Sequence, residues 1–530
     1  MSATVYLEAA QQSSDRIAVV EASSGRQWTR RELWSTGRRL SRALRDAGVQ
    51  EGDTIAIVAP NCGEYLVAYI AALFGGMYLV PINWHLTPVE MSYVMENSGA
   101  QALIVHERLA AAVMRAIGHL TRPAARTLIA IGTARGYESL HAFIANHTEE
   151  ALGGAVWGRV QCYSSATTGL PKAIRQPLGA TQIAVQRQIE LQIAQGIALD
   201  AHVHLCCTML YHQHGMQNAT TALLMGHTII VMDGWAPENM LRLIDEHAVT
   251  TTAMVPTMFV RLLRLEETVR IGCDVSSLRQ VIHGGAPCPV EIKRAMLAWW
   301  GKVFWEFYGG TEGQGTIADS DQWLCHPGTV GRAFPGGEIR ILDDQGRDLP
   351  SGQAGDVYLK QAPGWAFEYL GAEAKTALSR RGEYFTLGDV GYLNSQGYLF
   401  LCDRKIDMIN SGGVKIYSAE IEQVLLSHPQ VVDCAVVAFP DQLFGEVPLV
   451  VVQPVPETSG DALLTARLLQ FLGNKLSAKK FPRRIAYTSQ LPREPNGKIR
   501  KRLLREQYCS SLELSNPIER GNLHESKRAQ

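Results

Sequence analysis

Between Tyr163 and Ala173 the chain reads Tyr-Ser-Ser-Ala-Thr-Thr-Gly-Leu-Pro-Lys-Ala, a run of hydroxyls and small residues ending beside one lysine. Ser164, Ser165, Thr167 and Thr168 carry hydroxyl donors, Gly169 lets the backbone come close, and Lys172 adds a mobile cation. Hydroxyl and backbone N–H donors beside an ammonium are what a loop needs to hold a polyphosphate. The same residue types also suit an ordinary Ser/Thr-rich turn before a strand. This is not a Walker-type loop. Gly301-Lys302 and Gly497-Lys498 both lack the following Ser/Thr, which excludes the P-loop nucleotide hydrolases. Tyr211-His212-Gln213-His214-Gly215, with His202 and His204 upstream, is the other cluster able to do chemistry. No cysteine or carboxylate spacing completes a metal site around it, and none is expected.

The elements that position these residues alternate. Strand residues 55–58, a helix over 64–73 and a strand over 78–82 make a βαβ unit. The pattern returns with a strand over 227–232, a helix over 237–246 and a strand over 249–255. It returns again with strands at 280–282 and 303–308 around a helix over 289–300. Such alternation implies α/β layers with mainly parallel sheets. Past Pro335 the texture changes to short strands between Gly and Asp turns (338–342, 356–360, 398–402), a small β-rich subdomain. Beyond Arg404 a helix over 419–427, strands over 431–439 and 449–454, and a leucine-rich helix over 463–476 form a compact α+β unit. The expected organisation is an N-terminal α/β domain over 1–403, a hinge at 404–406, a small mobile C-terminal domain over 407–509 and a disordered tail from Ser510.

Composition narrows the partners. Fifty basic against 51 acidic residues give a net charge of -1, so nucleic acid and anionic membranes are not the expected partners. The ten cysteines are scattered without a Cys-x-x-Cys pair, which points to a reducing compartment. The start is polar, and the longest apolar stretch, Tyr65 to Val80, is interrupted by Gly75-Gly76, so neither a signal peptide nor a membrane span is expected. The expected location is the cytoplasm.

The Ser164–Lys172 loop resembles the phosphate-binding loop of the adenylate-forming superfamily, Ser-Gly-Thr-Thr-Gly-x-Pro-Lys-Gly, with Ala166 and Ala173 in place of two glycines. Further segments resemble that family in order. Gly284-Gly285-Ala286-Pro287 is similar to its adenine-side loop. In Tyr308-Gly309-Gly310-Thr311-Glu312 the resemblance implies Tyr308 stacked on adenine, Thr311 on the α-phosphate and Glu312 on Mg²⁺; a buried aromatic is the plainer reading of Tyr308. Thr386-Leu387-Gly388-Asp389 is similar to the family's Thr-Gly-Asp, with Leu387 inserted, and implies that Asp389 accepts the ribose hydroxyls. A lone Gly-Asp is otherwise a turn. Asp403 to Ile409 resembles the crossover between domains, with Arg404 on the ribose and Ile406 where a polar hinge residue is usual. Gly412-Gly413 implies close backbone approach to the pantetheine thiol, and Lys415 stands where relatives carry Asn. Pro495-Asn496-Gly497-Lys498 resembles the C-terminal loop whose lysine bridges acyl carboxylate and α-phosphate; a solvated basic patch is its alternative. His212 is placed at the acyl-pocket wall, with a structural histidine as alternative.

The resemblance, on the acyl-CoA synthetase branch, implies an acid–thiol ligase. A hydrophobic carboxylic acid, ATP, Mg²⁺ and coenzyme A would give an acyl-adenylate and then a thioester. Met209, Met216, Val281, Gly309 and Gly310 form the apolar neighbourhood behind that expectation. If the family glycine at position 166 permits close backbone approach or positive φ, Ala166 crowds the β- and γ-phosphates or strains the loop, the backbone penalty alone being about 1 kcal/mol or more. Weakened adenylation follows, with acyl-AMP supplied by a separate adenylating enzyme. Delivery to a carrier protein, luciferase-type oxygen chemistry and silent nucleotide binding are the other readings.

Overall fold

The computed structural model describes residues 3–11, 15–121, 125–150, 152, 156–164, 171–493 and 499–509. The chain divides into two compact units. The larger comprises Met1–Cys288, Ile292–Ile339 and Leu359–Leu387; the smaller comprises Pro289–Glu291, Arg340–Tyr358 and Gly388–Gln530. Among the described residues no helix is long and apolar enough to cross a membrane.

In the larger unit the alternation produces two largely parallel sheets. One runs edge to edge through Glu138–Ser139, Thr127–Ile131, Ala102–His106, Thr54–Val58, Tyr78–Pro81 and Arg159–Val160, every pairing parallel. The other places Gln280–His283 between Thr251–Met254 and Phe304–Gly310 in parallel register, then turns back antiparallel through Gly313–Ala318. Parallel strands covered on both faces read as continuous apolar runs, and Thr54–Val58 is buried at every position. The helix Gly63–Gly75 is buried almost all round and stops at Gly76 in the left-handed conformation, φ 65°. Tyr65 to Val80 is therefore core helix and strand. A third, three-stranded sheet joins Tyr163–Ser164, Lys172–Arg175 and Glu368–Tyr369, all antiparallel.

The smaller unit has its own core. The hairpin Val431–Asp441/Gly445–Pro454 alternates faces at period two. Val436, Val450 and Val452 pack with Ile421 and Leu425 of the helix Ser418–Leu426 and with Leu464, Leu468 and Leu472 of the helix Ala462–Gly473. Ala435, Val437, Leu449 and Val451 face Leu504 and Tyr508 on the other side. The leucine-rich helix ends three residues before the expected Leu476. Its buried stripe is Leu464-Leu468-Leu472, and Leu463 is exposed, because one helix presents only one face to a sheet.

Candidate active site

Ser164 and Lys172 face each other across an antiparallel strand pair, as do Tyr163 and Ala173, so these four residues are the two arms of the hydroxyl-rich loop. Ser165, Ala166, Thr167, Thr168 and Gly169 lie outside the described residues, as does Lys498. The arms are held firmly: the Tyr163 hydroxyl donates to Asn97 Oδ1 at 2.8 Å, and Ala173 is buried in extended backbone. Ala173 therefore sits where any residue is conformationally at ease, and the missing glycine there costs the backbone nothing.

The next strand over supplies a residue that sequence reasoning missed. Tyr369 lies one strand beyond the loop arm, opposite Ile174. Its ring sits 5.5 Å from Lys172 Nζ, and its hydroxyl donates to Glu312 Oε1 at 2.9 Å. One buried tyrosine thus ties the loop lysine to the carboxylate of the second motif. Glu312 Oε2 accepts no hydrogen bond among the described residues, which leaves one carboxylate oxygen for a divalent cation. In the sequence Tyr369 is one aromatic among 17 tyrosines, and no spacing marks it.

Tyr308, Gly309 and Gly310 are the end of the strand Phe304–Gly310, which runs two residues past its expected end at Tyr308. Gly310 pairs with Gly313, leaving Thr311 and Glu312 as a two-residue turn. A Cβ on Gly310 would come within 2.6 Å of the Glu312 carboxylate and 2.7 Å of Leu387, so a side chain there would push on the ends of both. Tyr308 is buried at 9% exposure. Beside it, Gly284 follows the strand Gln280–His283, and a Cβ there would lie 2.5 Å from the Phe307 carbonyl. Gly285 is left-handed, φ 79°, and Ala286 and Pro287 continue the loop outward. Beneath both loops, Lys293 donates to Glu306 at 2.6 Å in full burial, with His283 3.8 Å away. Burial pushes the Lys293 pKa down and the Glu306 pKa up, and their mutual attraction opposes both shifts.

His212 caps the helix Gln213–Leu224 without a side-chain capping bond, and its Nε2 is buried with no partner among the described residues. Burial first, then the neighbouring His214 and His85, lowers its pKa to about 4. It is neutral at pH 7 rather than a cation. His214 Nε2 meets the Met254 carbonyl at 3.2 Å. His202 and His204 bond Thr250 and Thr251 across strands. No metal-holding group of three or more His, Cys, Asp or Glu occurs among the described residues. The helix that His212 caps also borders a cavity of about 90 Å³, with Gln213, Met216 and Gln217 in its wall. Met209 and Val281 are not in that wall.

In the smaller unit, Asp389 and Arg404 are cross-strand partners, with Nε 3.4 Å from Oδ1; Asp389 is buried and Gly388 before it is left-handed, φ 81°. Lys405 donates to Asp356 at 2.7 Å, and Ile406 is half exposed. Gly412 and Gly413 both have positive φ, 57° and 82°, and form the two-residue turn between Ile409–Ser411 and Val414–Ile416. A Cβ on Gly413 would meet nothing within 4 Å, so hairpin geometry alone accounts for glycine there. Lys415, on the second strand, reaches Asp344 at 3.9 Å.

Residues 6–370 match the AMP-binding enzyme family and residues 420–498 its C-terminal domain. The chain belongs to the AMP-binding enzymes. Within the adenylate-forming superfamily it stands on the acyl-CoA synthetase branch and is a ligase. It is 31% identical to the fatty acid–[acyl-carrier-protein] ligase ScoC of Streptomyces coeruleorubidus, over 91% of this chain and 92% of that protein. It is 27% identical to the long-chain-fatty-acid–CoA ligase FadD13 of Mycobacterium tuberculosis, over 93% and 96%. The anthranilate CoA ligase AuaEII, solved with anthranoyl-AMP, shares the fold with a TM-score of 0.85 at 24% identity, over 96% and 97% of the two chains.

Proposed function

We propose that this AMP-binding enzyme activates a carboxylic acid as its acyl-adenylate and passes the acyl group to the thiol of coenzyme A. The Lys172–Tyr369–Glu312 arrangement supports the reading, because it joins the cation of the Ser/Thr-rich loop arm to a carboxylate in the turn of a second sheet. In the first step a substrate carboxylate oxygen bonds to the α-phosphorus of ATP and pyrophosphate leaves. Ser164, the loop hydroxyls and Lys172 orient the leaving group, Thr311 holds the α-phosphate, and Lys498 neutralises the charge that develops. Mg²⁺, held by Glu312 Oε2, would supply further charge neutralisation. Tyr308 and the loop Gly284–Pro287 take the adenine, and Asp389 with Arg404 takes the ribose. In the second step the thiolate attacks the acyl carbonyl and AMP departs, after a pivot assigned to 404–406. Gly412, Gly413 and Lys415 are assigned to the pantetheine side, and His212 to the acyl wall.

Ala166 bears on the first step alone. We assign it a weakening of adenylation, tenfold for each ~1.4 kcal/mol lost from transition-state binding. ATP–pyrophosphate exchange tests both claims. Slow exchange that rises in Ala166→Gly, with thioester formed at full rate from synthetic acyl-AMP, is the expected result. Brisk exchange by the unaltered protein sinks the Ala166 claim, and absence of thioester from acyl-AMP sinks the ligase reading. The 31% identity to a carrier-protein ligase favours one second reading, delivery to a carrier's phosphopantetheine. Presenting acyl-AMP with CoA and with a loaded carrier protein separates the two acceptors.

A further inference from the structure

The cavity bordered by the helix that His212 caps holds a cation with no carboxylate partner among the described residues. Arg159, in the strand Arg159–Val160, lines it at 8% exposure. Among the described residues its only side-chain hydrogen bond is a long one from Nη1 to the Pro177 carbonyl, 3.4 Å, and its guanidinium lies 5.6 Å from the centre of the Trp365 ring. No carboxylate is within ion-pair distance among the described residues; the nearby ionisable groups are the phenols of Tyr69 and Tyr78. Burial lowers its pKa to about 10, so it remains charged at neutral pH. A guanidinium taken out of water without a carboxylate partner is costly, and a planar oxyanion answers it with two parallel bonds.

Beside an apolar lining of Val160, Ala184, Val185, Ile189, Met216 and Leu224, the wall carries a chain of glutamines. Gln213 donates to Gln217 at 3.1 Å, and Gln217 donates to Gln188 Oε1 at 3.0 Å. Gln314, two residues beyond Glu312, donates to the same Gln188 oxygen at 2.6 Å. That oxygen is saturated. The Gln188 amide nitrogen is left without an acceptor among the described residues, in a side chain that lines the cavity. The glutamine chain starts beside His212 and Glu312. The wall then follows the helix to Leu224, a run of about 16 Å at 1.5 Å per residue. Tyr69, which senses the Arg159 charge, bonds Thr220 near the far end of that run.

We infer that the cavity takes an acyl chain bearing a second carboxylate: the activated carboxylate sits at the His212 end, and the distal one docks on Arg159 with Gln188 as an auxiliary donor. This rests on the proposed adenylation of a carboxylic acid and specifies its substrate as a dicarboxylic acid. Met216 in the same wall suits the methylene stretch between the two ends.

Straight-chain dicarboxylic acids of four to ten carbons, each paired with the monocarboxylic acid of equal length, provide the test. Pyrophosphate exchange gives kcat/KM, and quenching of tryptophan emission, with Trp365→Phe as control, gives binding without turnover. The wild type is expected to prefer a diacid at least tenfold. Arg159→Met should erase that preference through KM, and Arg159→Lys should keep part of it. Gln188→Leu, which leaves Arg159 in place, should lower the preference by a smaller factor. Preference for monoacids in the wild type overturns the inference, as does a diacid preference that survives in Arg159→Met. Diacid quenching that is lost in Arg159→Met, with no exchange for any acid, keeps the cavity assignment and overturns the adenylation reading. Neither quenching nor exchange overturns both.

Discussion

Tyr369 shows how much rests on one hydroxyl. Its bond to Glu312 joins an O–H to a carboxylate, the kind worth about 1.5–3 kcal/mol. Tyr369→Phe keeps the ring against Lys172 and removes only that bond. Pyrophosphate exchange should fall about tenfold or more in kcat/KM, with little change in the thermal midpoint; an unchanged rate would mean that Glu312 is positioned by something else. Four buried histidines make a separate prediction. Burial lowers His204 to about 3 and His212, His214 and His227 to about 4, against 6.5 in the unfolded chain. Between those values the unfolded state binds more protons, so stability is whole above pH 6.5 and is lost as pH falls toward 4. Urea midpoints should drop steeply across that window. His214→Gln should reduce the slope by about one proton. His204, His212 and His214 were visible in the sequence as candidates, but their neutrality was not, because desolvation belongs to the packed surroundings.

At the scale of elements, glycines carry the legible part of the site. Gly284, Gly310 and Gly412-Gly413 all sit at tight turns or close approaches, and such positions advertise themselves in sequence. Their reason was less legible. Gly413 lies in a left-handed turn with open space around its Cα, so Gly413→Ala should cost about 1 kcal/mol of stability from the backbone alone. A loss of thioester formation beyond that stability cost would restore the pantetheine contact as its reason. The helix Ala462–Gly473 gives a second check. Leu468 is fully buried against the hairpin strands, whereas Leu463 on the same helix is exposed. Leu468→Ala should cost about 2–5 kcal/mol and Leu463→Ala well under 1, read from urea midpoints. Six leucines in helical register announced an amphipathic helix; only the sheet beneath decided which three were core.

For the molecule as a whole, the two proposed half-reactions would divide the chain's groups by function. Lys498 is assigned to adenylation, so Lys498→Ala should lower pyrophosphate exchange by roughly 100-fold or more while thioester formation from synthetic acyl-AMP persists. Equal loss of both would refute the division. By itself the sequence determined the α/β layering, the order of the nucleotide motifs and the kind of chemistry they encode. Periodicity, turn glycines and donor-rich loops are local patterns, and local patterns survive in one dimension. Tertiary structure alone decided that Tyr369 reaches Glu312 across 57 residues, that Lys293 is buried against Glu306, and that Arg159 faces a cavity with no carboxylate partner among the described residues. Each depends on which strands lie side by side and on what water can no longer reach, and neither is written in spacing along the chain.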